Sequence, residues 1–103
     1  MTIEQELEMF EITVRRMCDT FAKKRNDYGQ TTTETFNKFG PVSMLTRMYD
    51  KLGRIENILV HNVCPCVNEK VEDTLVDLAN YAIITLIELQ KAEGEKVQLA
   101  RRQ

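Results

Sequence analysis

Residues 71–89 read VEDTLVDLANYAIITLIEL, and the way this stretch folds decides how the rest of the chain can fold. At about 100° per residue, Val71, Leu75, Leu78, Ala79, Ala82, Leu86 and Leu89 share one broad face of a helix, widened by Val76, Ile83 and Ile87. An apolar arc that broad predicts a helix buried on most of its sides. Asp73, Asp77, Asn80 and Tyr81 form the remaining polar stripe, and Ile84 interrupts it before Glu88. Asp73 and Asp77 stand one turn apart on the same side. Bringing such carboxylates near a core costs on the order of several kcal/mol each unless something positive stands there. Either cations from another helix or a bound metal answer them, or the pair uses the positive helix end and faces water.

The chain outside this stretch is compatible with the same kind of structure. With 103 residues, 43% of them apolar, a single domain with a modest core is expected, one that gains from a partner subunit. Four Gly, two Pro and no alternating strand pattern favour an all-α chain. The domain is expected over residues 1–92, and residues 93–103, charged around Gly94, as a frayed or disordered tail. A net charge of −2 argues against general nucleic-acid binding, which needs clustered positive surface. No apolar run has the length of a membrane span and the acidic N-terminus does not resemble a signal peptide, so a cytoplasmic protein is expected. Three cysteines, Cys18, Cys64 and Cys66, make no disulfide framework. His61 with Cys64-Pro65-Cys66 lacks the paired C-x-x-C spacing of structural zinc sites and reads rather as a connector between helices.

Taken from the N-terminus, Thr2 with Gln5 has the spacing of a capping box. Ile3, Leu7, Phe10, Val14, Met17 and Phe21 follow at steps of four and three, the seam of a first long helix. Continuing the steps places Lys24 and Tyr28 on that seam, within KRNDYG, and Gly29 is a natural stop. Thr32 or Thr33 can cap a short turn carrying Phe36 and Phe39, two aromatics expected to anchor it to the core. Gly40-Pro41 opens a second long helix, with apolar Leu45, Met48, Leu52, Ile55 and Leu59. Arg47, Asp50, Lys51 and Arg54 share its other face. They read either as a solvated surface or as forked donors for phosphate oxygens, with Asp50 fixing their rotamers or joining a metal site. A single histidine gives no support for a histidine-based triad, and no glycine-rich phosphate loop is present.

Three blocks, KRNDYG, FGPVSMLTRMYDKLGRI and EDTLVDLANYAI, taken together resemble the nucleotide modification associated domain 1 family over roughly Lys24 to Leu89. That small helical family is found largely in bacteriophages and bacteria, and the resemblance implies a context of phage nucleotide metabolism, in the host cytoplasm if the chain is phage-encoded. By organisation the chain is also similar, more distantly, to MazG-like all-α nucleoside triphosphate pyrophosphohydrolases. Those enzymes hold magnesium with carboxylates from two helices, E-x-x-E on one and E-x-x-D on the next, and oligomerise to complete the site. Here Glu72, Asp73 and Asp77 on the third long helix do not have the E-x-x-D spacing, and Asp50 and Glu56 stand where a glutamate pair belongs.

The expected fold is an all-α bundle of three long helices and a short one, associating as a homo-oligomer. One cleft would collect the three blocks and hold a nucleotide. Arg47, Lys51, Arg54 and Lys24 would take phosphates, Tyr28 or Tyr81 would stack on the base, and Asn80 would read a base or ribose edge, with Asp27 in the same block as Lys24. Asp50, Asp73 and Asp77 would be the magnesium ligands if chemistry occurs. Three functions remain open on these residues: a magnesium-dependent nucleotide pyrophosphohydrolase, a non-catalytic protein that sequesters a nucleotide signal of host defence, and a structural bundle.

Overall fold

A computed structural model of the chain describes the backbone of residues 1–28, 30–63 and 70–102, and the side chains of these except 27, 28, 96–100 and 102. Four helices carry nearly all of it: α1 (Ile3–Tyr28), α2 (Thr31–Phe39), α3 (Val42–Leu59) and α4 (Val71–Arg102). Among the described residues there is no strand, so the chain is all-α, with the three long helices and one short helix expected. It divides into two compact units, Met1–Thr31 and Thr32–Gln103.

The first unit is α1. Its start is the capping box: the Gln5 N–H donates to Thr2 Oγ1 at 3.1 Å, and the Thr2 N–H donates to Gln5 Oε1 at 2.9 Å. The helix ends at Tyr28, directly before Gly29, with Arg25 set in its last turn against the negative helix end. Along its seam Ile3, Leu7, Phe10 and Val14 are exposed and Met17 is buried.

The segment Thr31–Phe39 is a helix of nine residues rather than a turn. Phe36 anchors it as expected, whereas Phe39 is exposed. Gly40 ends it in the left-handed region, φ 76°, with its N–H donating to the Phe36 carbonyl at 2.7 Å. Pro41, its φ held at −60° by the ring, then starts α3, and the Ser43 hydroxyl donates back to the Gly40 carbonyl at 2.8 Å. No atom lies within 4 Å of where a Cβ on Gly40 would stand, so a side chain there meets only the cost of its own backbone. Gly40→Ala is therefore expected to lower stability by about 1–2 kcal/mol, with Gly40→Asn recovering part of the loss, as urea unfolding will measure.

α3 and α4 run antiparallel. Lys51 meets Asp77 and Arg47 meets Tyr81, so four residues back along α3 is four residues forward along α4. Met44 and Ile55 are the buried apolar residues of α3. On α4 the polar residues Thr74, Asn80 and Glu88 are buried, and Asp77, Tyr81 and Ile84 are half-buried. Leu75, Leu86 and Leu89, members of the apolar arc that predicts the core, are instead 45%, 55% and 45% exposed. The polar stripe turns inward because α3 and α2 supply the partners it needs. Backbone helicity continues through Arg102. Among the described residues no helix is long and apolar enough to cross a membrane.

Candidate functional site

The charged face of α3 meets the polar stripe of α4 in two rungs. Lys51 Nζ lies 3.2 Å from Asp77 Oδ2, with each side chain about one-fifth exposed. One turn nearer the start of α3, Arg47 Cζ lies 5.8 Å from the centroid of the Tyr81 ring, within reach of a cation–π attraction. Antiparallel helices with partners at i and i+4 on both sides produce such a ladder whenever the register holds. Asp77 is thus answered by a cation from another helix, the first of the answers open to the sequence.

Beside the ladder, Asn80 is 8% exposed and its amide Nδ2 has no hydrogen-bond partner. A buried donor without an acceptor costs about 1–3 kcal/mol, a cost that an acceptor on a ligand would relieve. Asn80 directly precedes Tyr81 and follows Asp77 by three residues, so an unsatisfied donor, an aromatic ring and two cations occupy adjoining turns.

The other expected site residues are placed differently. Asp50 and Arg54 are exposed on α3. Asp73 is exposed in the first turn of α4, where its Oδ2 accepts a 3.3 Å hydrogen bond from the Lys70 N–H, a helix-start role. Lys24 is exposed on α1 in the first unit. The side chains of Asp27 and Tyr28 lie outside the described residues, as does the Cys64-Pro65-Cys66 connector. His61 is exposed, with Nε2 3.8 Å from Glu56 Oε1. Among the described residues no group of three His, Cys, Asp or Glu is placed to hold a metal ion. Arg47, Lys51, Asp77, Asn80 and Tyr81 are therefore what the second unit gathers.

A further polar cluster lies outside the sequence-based expectation. Glu88 is 5% exposed, and its Oε1 accepts from the Thr33 hydroxyl at 2.8 Å and from Lys91 Nζ at 3.1 Å. Lys91, three residues on, is legible as a helical neighbour. Thr33, which the sequence suggests as a cap for α2, clasps that helix to α4 across 55 residues of chain, and no local pattern announces it. Thr33→Val is expected to cost about 1–2 kcal/mol in urea unfolding, since it leaves a buried carboxylate with one partner fewer.

A family model described as nucleotide modification associated domain 1 matches residues 24–89, which take in α2, α3 and the whole ladder on α4. Neither comparison, with curated proteins or with solved structures, returns a match.

Proposed function

This chain belongs to the nucleotide modification associated domain 1 family, and from that premise we propose that it binds a nucleotide on the charged face shared by α3 and α4. Arg47, with Arg54 about two turns along the same α3 face and Lys51 between them, takes phosphate oxygens, for which a guanidinium offers forked donors. Tyr81 offers its ring to the base. The observation that carries this reading is the buried Asn80 amide, whose unpartnered Nδ2 needs an acceptor such as a base or ribose oxygen supplies.

Holding is favoured over hydrolysis. Magnesium takes near-octahedral oxygen ligands, usually one or two carboxylates with substrate phosphates and water. Asp77 is paired with Lys51 and Asp73 with the start of α4, so Asp50, Asp73 and Asp77 do not assemble as a three-carboxylate magnesium set. A protein that retains a nucleotide signal unchanged is the form of the activity proposed, and the binding unit is a homo-oligomer.

The test is to incubate the pure chain with a panel of linear and cyclic nucleotides, with and without magnesium, remove free ligand, denature by heat and identify what is released. Intact nucleotide is the expected result. Altered product appearing only with magnesium would replace sequestration by pyrophosphohydrolysis. No retention of any nucleotide at millimolar concentration would end both and leave a structural bundle.

A further inference from the structure

We propose that the nucleotide held on this face carries one phosphate on either side of a ribose, as a ribonucleoside 3′,5′-bisphosphate or a ribodinucleotide does, and not a chain of directly linked phosphates. The inference rests on the binding reading above and gives it a substrate class.

The two rungs set the levels along the face. Lys51 stands opposite Asp77 and Arg47 opposite Tyr81, so Asn80, one residue before Tyr81, falls just past the level of Arg47 on the way to Asp50. At about 1.5 Å per residue, Asp50 follows Arg47 by about 4.5 Å along the α3 axis, and Arg54 follows Asp50 by about 6 Å. At about 100° per residue the three fall within about 60° of one another, roughly a quarter turn or more from the buried Met44 and Ile55. Asn80 is offset in the same sense from Asp77 and Tyr81, the residues that α4 turns toward α3. Equal senses on antiparallel helices fall on the same side of the pair. Asn80 and the three charged residues therefore share one side.

Along that side the charges run cation, carboxylate, cation, with Asp50 and Arg54 both exposed. A 5′-triphosphate laid from Arg47 to Arg54 brings a phosphate past the Asp50 carboxylate, where like charges repel. A ribose flanked by two phosphates avoids this. One phosphate meets Arg47, the other meets Arg54, and the uncharged sugar spans the carboxylate between them. An ionised carboxylate only accepts hydrogen bonds, so Asp50 suits the 2′-hydroxyl, a donor that ribose has and deoxyribose lacks. The base of that nucleoside lies at the Arg47 end, near the level of Tyr81 and the unpartnered Asn80 amide. Asp50 thus has a part in recognition that needs no metal.

Equilibrium dialysis of the full chain without magnesium compares, for each common base, the 5′-monophosphate, the 5′-triphosphate, the 3′,5′-bisphosphate and its 2′-deoxy form, and the linear and cyclic dinucleotides. A ribose flanked by two phosphates is expected to bind about tenfold or more tighter than the triphosphate of the same base, although the triphosphate carries more charge, and loss of the 2′-hydroxyl to remove most of that margin. Asp50→Asn, with helicity checked by circular dichroism, is expected to close the gap from both sides, strengthening the triphosphate and weakening the ribose bisphosphate. Whichever of the bisphosphate, linear and cyclic forms binds tightest identifies the source of the ligand, and each is the proposed class. A triphosphate that binds as tightly as these, or an effect of Asp50→Asn shared alike by every ligand, overturns the class and leaves nucleotide binding standing. Retention of no ligand in the set ends the binding reading itself, and this inference with it.

Discussion

Arg47→Ala combined with Arg54→Ala is expected to weaken nucleotide binding by about 100-fold or more, with the helical content of the chain unchanged. Each charge-assisted contact contributes about 1–3 kcal/mol, and losses at two donors for one ligand compound. The single variants separate the roles. Arg47→Lys keeps the charge but loses the planar fork and its stacking on Tyr81, so it should fall between parent and alanine. Tyr81→Phe keeps the ring beneath Arg47 and should bind nearly as the parent does, while Tyr81→Ala should not. Isothermal titration with whichever nucleotide the panel retains measures all four. If the double variant binds as tightly as the parent, the α3 face is a solvated surface.

The second large effect is on stability. Asp77→Asn leaves the Lys51 ammonium, about one-fifth exposed, without its carboxylate. Exposed pairs contribute about 0.2–1 kcal/mol and breaking a buried pair costs about 3–5 kcal/mol, so a loss of about 1–3 kcal/mol is expected for this intermediate case. Replacing both partners, Lys51→Met with Asp77→Leu, should recover most of it, because no charge is then stranded. Were Asp77 instead a metal ligand repelled by Asp73, Asp77→Asn would preserve or raise stability in metal-free buffer. Urea unfolding of parent, single and double variants therefore distinguishes clasp from metal site by the sign of one change.

Much of the fold was legible because helix ends are local. Thr2 and Gln5 name their own cap, and Gly40-Pro41 joins α2 to α3 through conformations those two residues prefer. The family, too, was readable from three short blocks. What the residues of 71–89 did not disclose is which way the helix turns. A helix with apolar side chains on most of its circumference has more than one face that can be buried, and periodicity ranks them by hydrophobicity alone. The choice was made by partners remote in sequence: Lys51 for Asp77, and Thr33 for Glu88. Asn80 illustrates the same limit. Its position on the stripe was evident, but its burial with an idle donor belongs to tertiary packing.

The Arg47–Tyr81 rung also makes the chain its own optical probe. There is no tryptophan, and Tyr81 is one of three tyrosines, with Tyr28 and Tyr49. Phenol emission is thus not swamped by indole, and replacing Tyr28 and Tyr49 by Phe leaves a single fluorophore directly under the guanidinium of Arg47. A base stacking on that ring would quench it, and a phosphate drawing Arg47 away would change its surroundings without quenching by contact. One cuvette titration, without a label or a coupled assay, would then register occupancy of the ladder and distinguish which end of a nucleotide arrives there.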